Sequence, residues 1–273
     1  KQIKQLTSKI KNLTRNRTFP IMIDEEGGTV TRLKKIINHN LSANFFGNLY
    51  RNNKNFCLKI YKLYLLSICD ILKDLGININ TIPVLDIVRH NTNKIIGNRS
   101  FSNDKQIVKI LGNLTINHLH SNKISGVIKH IPGHGAATVD SHKKLPKVKL
   151  HLKKLNQIDF YPFKLSNAKL AMTAHILYTK IDNRNSATHS KKIIKEIIRK
   201  KIGFKGILIS DDISMKALKY DLVTNAKKSL AAGCNLVLYC AGNIQDNLKL
   251  IKSIPYIDKF TSKKTSEIYK IIG

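Results

Sequence analysis

Ile207-Leu208-Ile209-Ser210-Asp211-Asp212 is an apolar run that ends in two carboxylates, and its pattern recurs along the chain. Apolar residues at successive positions are typical of a strand buried on both faces, as in a parallel sheet. We predict about six such strands, alternating with helix-like stretches. The strand-like runs are residues 19–24, 77–86, 126–130, 170–175, 206–211 and 235–240.

Most of these runs end in a polar side chain of a kind that enzymes use. The active site of a (β/α)8 barrel lies at the C-terminal ends of its strands. We therefore predict an α/β fold of the (β/α)8, TIM-type barrel class. The alternative, a doubly wound open sheet, would show a glycine-rich phosphate fingerprint after its first strand, and Glu26-Gly27-Gly28 does not match one. The polar residues at the strand ends are Asp24, Asp86, His130, His175 and Asp211.

Apolar residues at helical spacing predict the helices between these strands. No internal repeat, low-complexity linker or change in composition divides the chain, so we expect a single domain over residues 1–273. The predicted helices cover residues 2–14, 54–74, 104–122, 190–202, with Ser190 as the N-cap, and a segment around 222–232.

The charge balance is extreme: 48 Lys and Arg residues against 17 Asp and Glu residues give a formal net charge of +31. Such a balance invites a nucleic-acid interpretation. Lysines are nevertheless spread through almost every helix-like stretch, and Ile, Asn and Lys dominate throughout. This distribution favours a general compositional drift over a binding patch, and we expect no nucleic-acid partner.

The sequence also bears on the cellular compartment. No run approaches the roughly 18 apolar residues of a membrane span, and the first residues show no signal-peptide core. The four cysteines have no CxxC spacing, and Cys69, Cys234 and Cys240 stand in apolar surroundings. Buried free thiols in a reducing compartment are the interpretation. We expect a cytoplasmic protein with no membrane partner.

Asp211 is the first candidate catalytic residue. A carboxylate at the end of a buried strand is held rigidly while its oxygens face the cleft, which suits a nucleophile that attacks an electrophilic carbon. The alternative is a helix N-cap, and this role fits Asp212 better, because Asp212-Ile213-Ser214 could open a helix.

The second candidate is the loop 130–146, which follows a strand and contains His130, His134, Asp140 and His142. A carboxylate beside an imidazole fixes its tautomer and raises its basicity, so Asp140 and His142 are typical of an orienting group and an acid/base. Two alternatives stay open. The loop is a polar surface loop, or its three histidines and Asp140 bind zinc.

Further binding candidates stand at or near other strand ends. Asp24 can accept hydrogen bonds from two adjacent sugar hydroxyls, and Arg32 can donate to others. Arg99 is a candidate donor to a polar ligand. Lys129, beside His130, points into the barrel mouth in this interpretation and needs a polar partner there.

In this order, the motifs resemble glycoside hydrolase family 3, and within it the single-domain bacterial β-N-acetylglucosaminidases of peptidoglycan recycling. The resemblance spans almost the whole chain, and the loop 129–146 is its most specific part. The matching segments are residues 23–28, 82–87, 96–101, 129–146, 172–175, 203–206, 210–215 and 232–238.

The resemblance implies a retaining exo-β-N-acetylglucosaminidase that works through a covalent glycosyl-enzyme. It implies Asp211 as the nucleophile, and His142 as the acid/base supported by Asp140. The implied substrate is N-acetylglucosaminyl-1,6-anhydro-N-acetylmuramic acid, with or without a peptide. No metal or organic cofactor is implied, the saccharide is the expected partner, and we expect a monomer. The residues implied to bind the sugar or border the site are Asp24, Arg32, Arg99, Lys129, His130 and Met215.

The sequence also departs from the family pattern. The family usually begins with a further strand–helix region that this sequence lacks, so the expected barrel lacks its N-terminal strand or strands. Glu25, Asn98 and Asn235 stand where Gln, an acid and Asp are common. Two other functions stay open: a metal-dependent hydrolase that uses the three histidines of the 130–146 loop, and a catalytically inactive relative that binds cell wall or nucleic acid.

Overall fold

A parallel β-sheet organises the chain, for which a computed structural model describes residues 1–37, 41–141, 144–164 and 167–273. The strands are β1 Met22–Ile23, β2 Ile79–Asn80, β3 Ser125–Ile131, β4 Lys147–Val148, β5 Leu170–Thr173, β6 Leu177–Tyr178, β7 Ile207–Asp212 and β8 Leu236–Leu238. The main sheet has the order β1-β2-β3-β5-β7-β8, and each neighbouring pair is parallel. Strands β4 and β6 form a separate parallel pair.

Helices connect the strands, as parallel pairing requires. Short 3-10 turns cover Gly97–Arg99 and Ala187–His189, and a helix with the wider π-type hydrogen bonding covers Ile193–Ile202. The α-helices are α1 Gln2–Leu13, α2 Ala43–Asn52, α3 Lys54–Asp74, α4 Lys105–Ser121, α5 Leu152–Gln157, α6 Leu222–Ala232, α7 Ile244–Ser253 and α8 Lys259–Ile272.

The strand order follows the order of the chain, and this decides between the two predicted folds. A doubly wound sheet reverses its strand order at a switch point, whereas the main sheet runs from β1 to β8 without a reversal. The sheet is a partial (β/α) barrel whose edges, within the described ranges, are β1 and β8. The predicted TIM-type class, with strands lacking, is therefore confirmed, and the doubly wound alternative is wrong.

All six predicted strands and all five predicted helices are present, and the Ser190 hydroxyl accepts a hydrogen bond from the backbone N–H of Ile193 at 3.1 Å, as an N-cap does. The sequence analysis missed α2, α5, α7, α8 and the β4–β6 pair. Strands β4 and β6 and helix α5 are too short to show a periodic pattern, whereas α2, α7 and α8 carry apolar residues at helical spacing that the sequence analysis overlooked.

Strands β2, β3, β5 and most of β7 are buried on both faces of the main sheet, and alternate residues divide between the two faces. On the outer face, Ile128 and Leu208 belong to the large core formed with α3 and α4. On the inner face, apolar side chains of β2, β3, β5 and β7 form a second cluster that is completed by α8. The inner residues are Ile79, Val127, Leu170, Met172, Ile207 and Ile209, with Ile268 and Ile272 from α8.

Two further expectations concern the membrane and the thiols. Among the described residues, no helix combines the length and apolarity needed to cross a bilayer. Cys57, Cys69 and Cys234 are buried free thiols, but Cys240 is exposed. The prediction that Cys240 is buried is wrong, because this residue follows the edge strand β8 and borders an open cleft.

We predict that Gly47→Ala destabilises the protein although it replaces glycine inside helix α2. Alanine gains about 1 kcal/mol of helix propensity there. Its Cβ would lie only 1.6 Å from the carbonyl oxygen of Phe101, however, and overpacking of this kind costs about 1–3 kcal/mol. Urea unfolding should show a net loss of stability.

The exposed neighbour Asn48 provides a matched control on the same helix. Asn48→Ala should stay within about 0.5 kcal/mol of the parent protein. A Gly47→Ala protein as stable as the parent, or more stable, would contradict the close approach of α2 to Phe101.

Candidate active site

A cleft of about 520 Å³ opens at the C-terminal ends of the main-sheet strands, and pockets that bind small molecules typically measure roughly 300–1,000 Å³. Seven of the nine residues predicted to form the site line it. Asp140 lies in the loop beside it, partly exposed, and His142 falls outside the described residues. The seven lining residues are Asp24, Arg32, Arg99, Lys129, His130, Asp211 and Met215.

Strand geometry explains why Lys129 and Asp211 face this cleft. Side chains two residues apart on a strand point to the same face. Val127 and Ile209 belong to the inner apolar cluster. Lys129 and Asp211 each follow one of them by two residues, so the inner face changes from apolar to charged at the strand ends.

His130 lines the same cleft although it is adjacent to Lys129. The pairing of β3 with β5 shifts register between Ile128 and Ile131. An irregularity of this kind re-aims side chains locally, so two consecutive polar residues reach one cleft.

Lys129 has the polar partners that the sequence analysis required. Its side chain is only 2% exposed, and its Nζ lies 2.5 Å from Oδ1 of Asp24 and 2.9 Å from Oγ1 of Thr81. It also forms an ion pair with Glu26. One ammonium thus joins the segments that follow β1 and β2 to the end of β3.

Glu26 is a second centre of this network, and the sequence analysis gave it no role. The guanidinium of Arg99 donates two hydrogen bonds to its carboxylate, Nε at 2.7 Å and Nη2 at 2.8 Å. Arg99 Nη1 also donates to the carbonyl oxygen of Ile95 at 3.1 Å. Most donors of Arg99 are therefore used within the protein. The only sequence signal for Glu26 was its position directly after two other acids, Asp24 and Glu25.

The cations keep the cleft carboxylates ionised. Burial alone would raise the pKa of Asp24, but the ammonium of Lys129 and the hydrogen bonds from Lys129 and Thr81 lower it below its ordinary range. Burial likewise opposes ionisation of Glu26, and Lys129 and Arg99 outweigh it, so the pKa of Glu26 is lowered.

Arg32 lies at the exposed edge of the cleft, with 63% of its side chain accessible. Its guanidinium lies 3.5 Å from Oδ2 of Asp24. The buried carboxylate of Glu25 accepts from the backbone N–H groups of Arg32 and Leu33, at 2.7 and 3.0 Å. Glu25 therefore fixes the turn that presents Arg32.

Asp86 connects His130 to the loop that follows it. Its fully buried carboxylate accepts from Nδ1 of His130 at 2.6 Å and from the backbone N–H of His134 at 2.5 Å. Burial would raise the pKa of Asp86, but His130 and His134 lower it. Burial lowers the pKa of His134 to about 4, so its ring is neutral at pH 7.

Asp211 and Asp212 have different surroundings at the end of β7. Asp211 is half-buried and lines the cleft, and its Oδ1 accepts from the backbone N–H of Asp212 at 2.8 Å. Burial opposes its ionisation, but His130, that N–H and Lys129 lower its pKa.

Asp212 does not open a helix. Its carboxylate accepts from the backbone N–H of Ser214 at 3.0 Å within a turn, and the next helix, α6, is capped by Asp221. The prediction of a helix start at Asp212 is wrong, because a two-residue Asp-to-Ser contact stabilises a turn as readily as a helix start.

The predicted zinc ligands do not assemble into a ligand set in the part of the chain that the structure describes, where no three His, Cys, Asp or Glu side chains are placed to hold a metal ion. His130 directs Nδ1 to Asp86, and the rings of His130 and His134 contact edge to face at 5.7 Å. Nε2 of His134 lies 3.3 Å from the hydroxyl of Ser141. His142 lies outside the described residues.

We predict that Asp86→Asn lowers the free energy of unfolding at pH 7 by about 3 kcal/mol, because an amide replaces a buried charged acceptor. Two N–H donors point at this carboxylate, and the amide NH2 cannot accept from them. Since the folded-state pKa of Asp86 is lowered, its stabilisation is complete above the ordinary carboxyl pKa and is lost as the pH falls through the folded value.

Urea unfolding at pH 7 and at pH values below about 3.9 measures this difference, which should shrink in acid. The control is Asp70→Asn, at an exposed ion pair with Lys73 on α3, and it should change stability by less than about 0.5 kcal/mol. An Asp86→Asn protein with parental stability at pH 7 would contradict the account.

Comparison with known proteins gives the family. The model described as Glycosyl hydrolase family 3 N terminal domain matches residues 1–264. A β-hexosaminidase from Actinobacillus succinogenes is 33% identical over 267 residues, which cover 93% of this chain and 76% of that protein. A β-hexosaminidase from Nitrosomonas eutropha is 32% identical over 244 residues, with coverage of 88% and 69%.

Solved structures give the same result. NagZ from Neisseria gonorrhoeae, in complex with N-trifluoroacetyl-D-glucosamine, superposes with a TM-score of 0.88 at 27% identity, covering 99% of this chain and 81% of that one. A family 3 β-N-acetylglucosaminidase from Paenibacillus sp. str. FPU-7 has a TM-score of 0.82 at 26% identity, with coverage of 99% and 53%.

Proposed function

We propose that this chain, which belongs to glycosyl hydrolase family 3, is a retaining exo-β-N-acetylglucosaminidase with Asp211 as its nucleophile. The observation that carries the proposal is the position of Asp211, an ionised carboxylate at the end of an inner-face strand in the cleft. The relatives named β-hexosaminidase and β-N-acetylglucosaminidase support the activity.

In the first step, a carboxylate oxygen of Asp211 attacks the anomeric carbon as the glycosidic C–O bond breaks. The leaving oxygen takes a proton from His142, whose ring Asp140 supports. The product is a glycosyl ester on Asp211 with inverted configuration. Retaining hydrolases usually use two carboxylates, and here a His–Asp pair replaces the acid.

In the second step, the neutral imidazole takes a proton from water, and the water oxygen attacks the anomeric carbon. The ester bond to Asp211 breaks, and the second inversion restores the β configuration. Asp211 must be ionised to attack and to leave, and its lowered pKa fits both requirements.

The cluster around Lys129 supplies the groups for the sugar hydroxyls. Asp24 keeps lone pairs toward the cleft and can accept from two adjacent hydroxyls, because its side chain is 37% exposed. Arg32 keeps free donors at the rim. Lys129, His130 and Arg99 lie deeper, and Met215 borders the site. Placed by their mutual hydrogen bonds, these groups orient the sugar before the reaction.

The substrate that we propose is N-acetylglucosaminyl-1,6-anhydro-N-acetylmuramic acid, with or without a peptide, from peptidoglycan recycling. The enzyme would remove the non-reducing terminal N-acetylglucosamine. The volume of the cleft, about 520 Å³, lies within the range of pockets that bind small molecules. We also propose that residues 1–273 act as one domain and need no metal or organic cofactor.

We expect Asp211→Ala to lower kcat on p-nitrophenyl N-acetyl-β-glucosaminide by about a thousandfold or more, equivalent to about 4 kcal/mol of transition-state stabilisation. Release of p-nitrophenol in the presence of a chelator measures it. Azide should restore turnover of the variant and give the α-glycosyl azide, because the small anion attacks from the vacated face.

The exposed variant Asp70→Asn is the control and should keep parental activity. Parental activity in Asp211→Ala would refute the assignment of the nucleophile. Loss of the parent's activity on chelation, restored by zinc, would instead favour the metal-dependent hydrolase.

A further inference from the structure

His175 is a buried histidine that the proposed mechanism does not use. It follows β5, and its side chain has no solvent exposure. Nδ1 lies 2.7 Å from Oγ1 of Thr188, and Nε2 lies 3.0 Å from the backbone carbonyl oxygen of Asp212. Asp212 directly follows the proposed nucleophile.

These contacts fix which ring nitrogen carries the proton. A carbonyl oxygen only accepts, so Nε2 of His175 must donate. In the neutral ring, Nδ1 is then the acceptor. The Thr188 hydroxyl also lies 3.3 Å from the carbonyl oxygen of Ala174, but it donates to Nδ1 at the shorter distance of 2.7 Å. The hydroxyl of Thr173, 2.8 Å away and buried, donates to Thr188 in turn. Thr173 thus donates a hydrogen bond to Thr188, Thr188 donates one to Nδ1, and the ring is the Nε2–H tautomer.

The neutral form agrees with the surroundings of the ring. Burial is the largest effect and lowers the pKa of His175. The ionisable groups that act on it are Asp211 and Asp212, which raise the pKa, and His130, which lowers it, and burial prevails.

Regular pairing is interrupted just before the end of β7 and resumes at the pair Asp212–Leu238. The pairing of β5 with β7 runs from Leu170–Ile207 to Met172–Ile209. On the other side, the pairing of β7 with β8 shifts register between Ile209 and Asp212. Asp211 therefore lies in a stretch of strand that neither neighbouring ladder fixes.

His175 compensates for this interruption from the side of β5. The backbone N–H of Asp212 holds a carboxylate oxygen of Asp211, and the carbonyl of Asp212 is held by Nε2 of His175. Residue 212 is thus anchored at both of its backbone groups, and the carboxylate of Asp211 is anchored through it.

We propose that His175, fixed as the neutral Nε2–H tautomer by Thr173 and Thr188, is a positioning residue that aims the Asp211 carboxylate at the anomeric carbon. This inference rests on the proposed function, in which Asp211 is the nucleophile. It gives His175 no contact with the substrate, and its effect falls on kcat.

Three variants test the inference on p-nitrophenyl N-acetyl-β-glucosaminide. His175→Leu removes the donor to Asp212, and we expect kcat to fall about a hundredfold, as a misplacement near 1 Å can cause, with a nearly unchanged KM. His175→Gln places an amide N–H near the position of Nε2, and it should recover at least about a tenth of the parental kcat. Thr188→Val, close in shape, should lower kcat about tenfold by releasing the tautomer.

The tautomer itself is measured without activity, by ¹⁵N NMR of the parent protein labelled at histidine. We expect the Nε2–H pattern for His175, and a mixture of tautomers in Thr188→Val. An Nδ1–H or doubly protonated ring in the parent would overturn the inference, whatever the kinetics of the variants.

The kinetic outcomes separate this inference from the proposed function. If Asp211→Ala destroys activity while folded His175→Leu keeps the parental kcat, the positioning role is wrong and the nucleophile stands. Equal losses in folded His175→Gln and His175→Leu would reduce His175 to a packing residue. If His175→Leu does not fold, Thr188→Val and the NMR spectrum decide. Parental activity in Asp211→Ala would refute the proposed function, and with it the kinetic part of this inference.

Discussion

The buried ammonium of Lys129 is the interaction on which the rest of the site depends. An unpaired cation in the interior costs several kcal/mol, so its partners must converge on it when the chain folds. These partners come from the segments after β1 and β2. Glu26, one of them, also forms an ion pair with Arg99. One charge therefore sets the mutual positions of three strand ends and of the Gly97–Arg99 turn.

The inner face of the sheet explains why these charges lie at one end. Before the C-terminal ends of the strands, this face carries apolar side chains that α8 covers, so the interior there is closed to water. At the C-terminal ends the same rows of side chains become Lys129 and Asp211. Lys129, which holds Asp24 and Glu26, also helps to keep Asp211 ionised, so one electrostatic arrangement serves both the structure and the proposed chemistry.

Much of this could be predicted from the sequence, because it follows from local patterns. Apolar runs that end in Asp24, His130 and Asp211 predicted both the strands and the residues of the cleft. The contacts of Glu26 and His175 depend on residues far away in sequence, Arg99 for the first and Thr188 with Asp212 for the second, and no local pattern encodes such pairs. Helix α8 was missed although its apolar residues recur at helical spacing, and two of them complete the inner core.

The covalent glycosyl-enzyme is the central claim, and peptide mass spectrometry after rapid acid quenching tests it most directly. The enzyme would be mixed with a β-N-acetylglucosaminide that carries an activated aryl leaving group, so that the ester accumulates. The account predicts a mass increase of one N-acetylglucosaminyl residue on the peptide that contains Asp211. An adduct on another residue, or none at any quench time while the substrate is turned over, would contradict it.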